Sequence, residues 1–594
     1  MNKFKFSILI GACAIMATAC EDKLDEEQKG VISYENFYQT DDDAQNALNG
    51  MYDVFSKAMT NANNVGIQNA MFFTFNLCGD DMYAAGEFYG DNDFMSQLNE
   101  FRYASDHECL TNAYKAFYNI IYAANLVINN VGKEGAEMTD VKKRCIAEAR
   151  VVRAYCHMML ASVWFDPPKI EKVLTGSEEI LNSDHTELLT WCGDECMAVV
   201  DDLDERNGSS DKDGTVKVTK GFAQFVAGKS YMFAGEFEKS KSALKPLVES
   251  PNYALVPSDR IGETFKAKGD GNEEQIMATN ISVNMAVGVW NGMIQRSVWM
   301  YSNIMNWRLD HLAGAPEEIT NGWGGLGLRE DWTTDFINND GEDSPRRKAW
   351  MKSVDEVFYE MSYGAGDLKD GKPMTRAEKE VDPNRGIKKC IYGYTFYWEY
   401  KRQFLNEETY PGQAFPVRNT LLARLGEAYL LYAEACARTS DEAEGQKYLE
   451  AIQKRAGSKT VGLNGKSLLD AVKEEKRFEL FAEGCRWPDM VRWSEQDGDA
   501  SIFDRIKDNG KMVPTMYDAF FDANGSVTIP KEEGGDPKES KHRFYIEESH
   551  PNTGEVGFTN PTKYKYFPIP FSETQVNPKI KQHEGWTTAE TTEE

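Results

Sequence analysis

Apolar residues recur at spacings of three and four along several stretches of this chain, which is the period of an amphipathic helix. The stretch from Val141 to Val163 shows it most clearly, and Pro167 and Pro168 follow its end. Its apolar stripe consists of Cys145, Ala149, Val152, Cys156, Met159 and Val163. The same spacing predicts helices over Leu110–Ile128 and Leu421–Cys436.

The stretch Phe222–Val248 predicts two helices that are interrupted at Gly235. Small and aromatic residues alternate along both halves, a pattern that is similar to a tetratricopeptide unit. Regularity between such units is low, so we expect a degenerate array of helix pairs. The fold class predicted is mainly α, with tetratricopeptide-like helix pairs forming a scaffold that carries a large loop-rich binding face.

Two regions lack a sustained helical or strand period. Residues 66–102 are rich in Asn, Asp, Gly, Phe and Tyr, and residues 262–412 combine the same polar residues with many aromatic ones. Long irregular stretches inside a compact protein usually serve function. We therefore expect the loop-rich face to come from these two regions.

Composition narrows the classes of ligand. The 594 residues carry a formal net charge of −29 with 27% charged residues. An acidic surface repels nucleic acid and anionic lipid headgroups. The charge excludes a nucleic-acid-binding protein and suits a solvated protein with a neutral ligand.

The first twenty residues have the layout of a secretory signal peptide. Lys3 and Lys5 precede an apolar run, and small residues lead to Cys20. A cysteine directly after such a cleavage site is typical of a bacterial lipoprotein, and the acidic residues after Cys20 resemble surface-export signals. Cys13 is an alternative lipidation site, and cleavage without lipidation is another alternative. A lipid on Cys20 would anchor the protein to a membrane that it does not span.

The cysteines do not indicate a disulfide scaffold or a metal site. Without Cys13 and Cys20, nine of the eleven remain, so at least one thiol would be unpaired. Cys145, Cys156 and Cys436 lie in apolar helical patterns, where cysteine behaves as a small hydrophobic residue. Cys192 and Cys196 are one helical turn apart, but no further ligands at zinc spacing lie nearby.

Five motifs in fixed order carry a resemblance to a known family. They are Ala147–Arg150 with Arg153–Tyr155, Gly322–Gly324 with Asp343 and Arg346, Arg424–Ala435, Arg477–Trp493, and Pro568–Pro570 with Asn577–Pro578. Behind the candidate lipidation site, this series resembles the SusD/RagB family of nutrient-binding outer-membrane lipoproteins. The resemblance divides the chain into a signal peptide at 1–19 and a SusD-like domain at 20–594. Within that domain, the helical part is expected at about 20–260 and the loop-rich and C-terminal part at about 261–594.

The resemblance implies a receptor on the extracellular face of the outer membrane. Such a protein binds oligosaccharides, or sometimes peptides, and passes them to a SusC-like TonB-dependent outer-membrane transporter. The charges of the last large motif occur at helical and turn spacing beside Phe481 and Trp493. We expect Glu479, Glu483, Arg486, Asp489 and Arg492 to form ion pairs that stabilise the fold, and Trp493 to lie in the core.

A sugar-binding site needs flat aromatic rings for the apolar ring face and polar side chains for the hydroxyl rim. Aromatic residues in polar, non-periodic surroundings are the candidates, and the family places ligand contacts in these regions. The predicted ligand-binding residues are Tyr83, Phe88, Tyr89, Asn92, Trp290, Asn291, Arg296, Trp299, Tyr301, Trp307 and Trp323.

Three other functions compete with a glycan receptor. A surface glycoside hydrolase is disfavoured because no catalytic motif of the common hydrolase classes occurs and the seven histidines form no spaced pair. A peptide receptor of the same fold stays open, whereas a structural repeat adaptor needs neither a secretion signal nor long aromatic loops.

No cofactor is expected. Asp211–Gly214 resembles part of a calcium-binding loop. Lys220 stands where that loop needs Glu, so this segment is not predicted to bind calcium. A calcium site elsewhere in the chain stays open.

Overall fold

The computed structural model describes residues 37–60, 75–86, 93–279, 304–386, 397–409, 418–504 and 561–586, together with four two-residue strands between 516 and 548. The helices are α1 Asp41–Thr60, α2 Asp93–Asn99, α3 Glu108–Val131, α4 Asp140–Trp164, α5 His185–Met197, α6 Lys220–Ala234, α7 Phe237–Val248, α8 Glu330–Asp340, α9 Pro345–Trp350, α10 Arg376–Glu380, α11 Leu425–Arg438, α12 Glu442–Ala456, α13 Leu468–Glu479, α14 Arg486–Gln496 and α15 Phe571–Val576. Short 3₁₀ helices occur at Val200–Asp202, Asp213–Thr215, Ser258–Glu263, Ala267–Gly269, Leu309–His311, Gly364–Asp367, Asn406–Glu408 and Lys563–Lys565, and a π-helical turn at Glu356–Glu360.

The strands are short and pair antiparallel in twos. They are β1 Met82–Ala84, β2 Gln275–Thr279, β3 Leu326–Leu328, β4 Met351–Ser353, β5 Leu368–Lys369, β6 Lys372–Pro373, β7 Tyr397–Glu399, β8 Thr420–Arg424, β9 Met516–Tyr517, β10 Phe520–Phe521, β11 Val527–Thr528 and β12 Glu547–Glu548. The pairs are β1 with β3, β2 with β8, β4 with β7, β5 with β6, β9 with β12 and β10 with β11. The protein is therefore mainly α, as predicted.

Successive helices pack against one another in pairs, most of them around the largest hydrophobic cluster. Helix α3 packs on α4, α5 on α6, α6 on α7, and α11 on both α7 and α12. The predicted helices over Val141–Val163 and Leu110–Ile128 are confirmed as α4 and α3. Cys145, Cys156 and Cys436 are fully buried in that core as free thiols, as the apolar pattern predicted. Among the helices that the structure describes, none has the length and hydrophobicity that crossing a membrane requires.

The α6–α7 hairpin is built around two glycines. Gly235 ends α6 with a φ of 80°, a left-handed conformation that glycine adopts without strain, as the predicted break requires. Gly228 faces Leu244 of α7 so closely that an added Cβ would lie 2.6 Å from its Cδ2. Ser240 of α7 donates a hydrogen bond of 2.7 Å to the Gly228 carbonyl. The absence of a side chain at Gly228 thus sets the distance between the two helices.

Replacing Gly228 by alanine is expected to destabilise the protein by about 1–3 kcal/mol, because the added methyl group must displace Leu244 from a packed core. Gly50→Ala is the matched control: Gly50 lies inside α1 with nothing within 4 Å of an added Cβ. That change is expected to be stabilising by about 0.5–1 kcal/mol. Chemical denaturation of the two variants measures both effects, and equal effects would contradict this account of the hairpin.

One predicted helix starts later than expected. The apolar pattern from Leu421 predicted helix, but residues Thr420–Arg424 form β8, and α11 begins only at Leu425. Strand β8 pairs with β2, with Thr279 opposite Thr420 and Gln275 opposite Arg424. The pairing partner is distant in sequence, so the local helical period could not reveal it.

The charged residues of the C-terminal motif form buried ion pairs. Glu479 accepts hydrogen bonds from Arg346 at 2.8 Å and Arg424 at 2.7 Å, and it also pairs with Arg455. Glu483 pairs with Arg424, and Arg486 with Asp80. The remaining predicted members pair with each other, Arg492 donating to Asp489 at 2.8 Å, and Trp493 is 4% exposed. The predicted structural role of these charges and of Trp493 is confirmed.

Candidate functional site

The predicted site residues divide into two groups. Three of them, Tyr83, Trp307 and Trp323, belong to the described residues. The others lie outside the described residues: Phe88, Tyr89, Asn92, Trp290, Asn291, Arg296, Trp299, Tyr301 and the lipidation residue Cys20. The ligand-binding and lipidation roles of that second group therefore stay predictions.

Tyr83 is a core residue rather than an exposed platform. It is 0% exposed in β1, directly opposite Gly327 of β3. Its ring covers Gly327 so closely that an added Cβ there would overlap it. The polar neighbours of Tyr83 in sequence suggested exposure, but the strand pairing turns the ring onto a glycine. The exposed ring expected at this position is not found.

Trp307 is also largely buried, at 7% exposed, but it forms one wall of a cleft. Its indole Nε1 donates a hydrogen bond of 2.8 Å to the carbonyl of Glu399. Its ring centroid lies 5.5 Å from that of Trp398 and 5.9 Å from that of Tyr400. The indole is therefore oriented by β7 and joined to further aromatic rings.

Backbone hydrogen bonds join the segment of Trp323 to the segment of Trp307. Gly322 donates to the carbonyl of Trp307 at 2.8 Å, and Gly324 donates to that of Asn306 at 2.7 Å. Gly324 has a φ of 65°, a left-handed conformation that glycine adopts without strain. Trp323 is half-buried and packs against the main core. The structure thus brings these two predicted residues onto neighbouring segments.

The cleft is a partly open concavity beside Trp307. Its described lining residues are Gly86, Trp307, Arg308, His311, Leu312, Gly324, Leu326, Val357 and Trp398. Arg308 is held by Asp310, with a closest distance of 3.1 Å between guanidinium and carboxylate. Two indoles and a guanidinium at one cleft combine an apolar ring surface with hydrogen-bond donors.

Trp398 is a cleft residue that the sequence analysis missed. It is half-buried at the centre of β7, opposite Lys352 of β4. The signal that could have found it is the aromatic run Tyr397, Trp398 and Tyr400, which lies inside the second loop-rich region. That run resembles a buried strand in sequence, and only its position beside Trp307 distinguishes it from core.

Two buried amides connect the segments behind the cleft. Asn306 is 0% exposed; it donates to the carbonyls of Thr320 at 2.6 Å and Phe404 at 2.9 Å and accepts from the Phe404 N–H at 2.8 Å. Gln403 donates to the Met305 carbonyl at 2.9 Å and accepts from the Trp307 N–H at 2.9 Å. Each side chain makes hydrogen bonds to the backbone of a neighbouring segment, so the segment that carries Trp307 is held in a fixed position.

A larger, partly open cavity lies between α4, α6 and β8. Its charges are already paired, with Lys229 at 2.7 Å from Glu427 and Arg424 at 2.7 Å from Glu483. Burial, followed by the neighbouring Glu427, raises the pKa of the Cys485 thiol far above its usual value. A neutral thiol is a poor nucleophile, so this cavity is not suited to thiol catalysis.

The described residues offer no group of three or more His, Cys, Asp or Glu side chains arranged to hold a metal ion. The Asp211 segment that resembles a calcium loop has another role. The Asp211 carboxylate accepts hydrogen bonds from the N–H groups of Asn207 at 2.9 Å and Gly214 at 3.0 Å. It therefore closes a turn, and a calcium site elsewhere stays untested.

Comparison with known proteins identifies relatives along almost the whole chain. The profile described as "SusD family" matches residues 273–586, more than half of the chain, and one described as "Starch-binding associating with outer membrane" matches residues 32–187. A SusD-like protein of Bacteroides ovatus is 24% identical over 511 residues, covering 82% of both chains. A SusD-like protein of Formosa agariphila is 20% identical over 509 residues, covering 83% of this chain and 89% of the relative.

Solved structures share the fold. A "Laminarin binding SusD-like protein" superposes with a TM-score of 0.64 at 20% identity, covering 92% of this chain and 99% of the other. "Surface glycan-binding protein A from Bacteroides thetaiotaomicron in complex with laminarihexaose" superposes with a TM-score of 0.62 at 18% identity, covering 91% and 99%. At these identities the likeness shows a common architecture.

Proposed function

The chain belongs to the SusD family, and on that premise we propose that it is a cell-surface protein that binds glycans without cleaving them. It is anchored to the extracellular face of the outer membrane through a lipid on Cys20. It delivers its ligand to a partner TonB-dependent transporter. The formal net charge of −29 agrees with a neutral ligand rather than an anionic one.

The observation that carries the proposal is the aromatic cleft. Trp307 and Trp398 place two indoles at one concavity, and Arg308 adds hydrogen-bond donors at its wall. The C–H face of a sugar ring packs on an indole, while its hydroxyl rim needs polar partners at the edge. Gly86 lines the same cleft and directly precedes the segment that carries the candidates Phe88, Tyr89 and Asn92.

The ligands to test first are laminarin and laminarihexaose. Relatives of the same fold are described as laminarin-binding and as bound to laminarihexaose. Calorimetry of the protein from Glu21 onward against laminarihexaose, and against a panel of other glycans, measures binding directly. We expect saturable binding to at least one glycan of the panel.

Replacing Trp398 by alanine is expected to weaken binding of that glycan at least about tenfold, because a buried aromatic contact at a site centre contributes more than about 1.4 kcal/mol. Trp191→Ala is the matched control. Trp191 is a half-buried tryptophan on α5, where Arg153 and Lys169 lie against its ring at 5.4 and 5.1 Å. Its loss is expected to leave the affinity unchanged, and an equal loss in both variants would contradict the location of the site.

Two other outcomes would replace the proposal. Binding to peptides but to no glycan would favour a peptide receptor of the same fold. Release of reducing ends from any glycan of the panel would show a surface glycoside hydrolase.

A further inference from the structure

Lys266 lies behind the aromatic cleft and has an unusual set of partners. Its ammonium Nζ is 2.6 Å from the carbonyl oxygen of Gln403, 2.9 Å from that of Tyr400 and 3.5 Å from that of Lys401. The ammonium also lies 4.7 Å from the centroid of the Tyr400 ring. Lys266 is 4% exposed. Three acceptors around one nitrogen match the three donors of a protonated lysine.

The three carbonyls belong to the segment that orients the cleft walls. Gln403 binds the Trp307 N–H, and the carbonyl of the adjoining Glu399 binds the Trp307 indole, so residues 399–403 hold Trp307 at both its backbone and its ring. Trp398 precedes it in β7. A change in the hydrogen bonds of Lys266 therefore acts on the residues that carry Trp307 and Trp398.

We propose that Lys266 is a positioning residue of the cleft: its protonated ammonium holds the segment 400–403 in the ligand-binding arrangement, and glycan affinity falls when it loses its proton. A neutral amine has two donors, so one of the three carbonyls then loses its hydrogen bond from Lys266, although the Gln403 carbonyl keeps a second bond of 3.0 Å from Arg418. The predicted effect on affinity rests on the proposed glycan-binding function, whereas the predicted effect on the cleft walls does not.

The surroundings set the pH at which this change occurs. Burial, and next the nearby Arg418, lower the pKa of Lys266 to about 7, against the opposing effect of Glu408 and Glu399. Lys352 of β4 also lowers it and lies 4.8 Å from the Tyr400 ring centroid. The ammonium form therefore predominates below pH 7 and is lost above it. A ligand that binds the ammonium form more tightly raises the pKa of Lys266 when it binds. A rise of one pKa unit corresponds to a tenfold higher affinity for the ammonium form than for the neutral amine.

The test follows tryptophan emission of the ligand-free protein between pH 5.5 and 9, together with the affinity for laminarihexaose across the same range. In the wild type, emission is expected to change with a midpoint near 7, and affinity is expected to fall up to about tenfold above it. Lys266→Gln keeps a neutral donor and should abolish both changes. Lys268→Gln is the matched control, since Lys268 is 60% exposed beside Glu263 and should behave as wild type.

A second variant keeps Lys266 in place. Glu408 accepts the N–H of Leu405 at 2.9 Å and pairs with Arg418, and its carboxylate favours the charged form of Lys266. Glu408→Gln is therefore expected to move the emission midpoint to lower pH. An unmoved midpoint, a flat wild-type emission profile, or a pH dependence that persists in Lys266→Gln would overturn the inference. Emission that titrates as expected without glycan binding at any pH would instead reject the proposed function and uphold the role of Lys266 in placing the cleft walls.

Discussion

Replacing Glu479 by alanine is expected to destabilise the protein by about 3–5 kcal/mol, the largest single-residue effect that we predict. The Glu479 carboxylate is 0% exposed and binds Arg346, Arg424 and Arg455, which are also buried. Without it, several guanidinium groups remain buried with too little negative charge around them, and no water replaces the lost partner without opening the core.

Chemical denaturation of Glu479→Ala beside wild type measures this effect. Glu450→Ala is the matched control: Glu450 pairs with Lys454 at 2.7 Å on the surface of α12. An exposed pair of this kind contributes about 0–1 kcal/mol, so that variant should remain close to wild type. A Glu479→Ala effect as small as that of the control would contradict the assigned role of the buried network.

The same network makes the protein sensitive to acid. Burial alone would raise the pKa of Glu483, but Arg424 and Lys401 outweigh it and hold that pKa at about 2. Burial is outweighed in the same way at Glu479, where Arg455, Arg424 and Arg346 hold the pKa well below its usual value. A carboxylate whose pKa is lowered on folding stabilises the protein above its unfolded pKa and loses that contribution as the pH falls. Between about pH 4.5 and 2, Glu479→Gln should therefore lose stability less steeply than wild type.

Replacing Asn306 by alanine is expected to destabilise the protein by about 2–4 kcal/mol and to weaken glycan binding about tenfold or more. The change removes three hydrogen bonds and leaves the Phe404 N–H and C=O and the Thr320 C=O without their side-chain partner in a buried place. Asn306 precedes Trp307, so the segment that carries this wall of the cleft loses its connection to residues 404 and 320.

Asn130→Ala is the matched control for Asn306→Ala. Asn130 is a half-buried asparagine near the end of α3 that donates to the Leu126 carbonyl at 2.8 Å, and its loss should change stability and binding little. Denaturation and calorimetry on both variants separate stability from affinity. An Asn306→Ala protein that is destabilised but binds glycan as wild type does would show that the amide supports the fold without placing the cleft.

The helical scaffold could be predicted from the sequence because its causes are local. Apolar residues spaced three and four apart define one buried face of each helix, and Gly235 marks the end of α6. The charges around Glu479 could be assigned to structure because several of them occur at helical spacing beside large apolar residues, where solvation is poor. The family motifs could be recognised for the same reason, because their residues take part in packing the scaffold.

The site depended on contacts between segments that are far apart in sequence. Tyr83 looked exposed among polar neighbours but is covered by its pairing with Gly327, whereas Trp398 in a strand-like run is half-buried at the cleft. Asn306, a polar residue of the second loop-rich region, binds backbone groups of distant segments. Exposure of a side chain is decided by whichever segment packs against it, and that information lies in the tertiary structure. The sequence by itself determined the helical scaffold and its buried charges; only the folded chain decided which aromatic rings face a cleft.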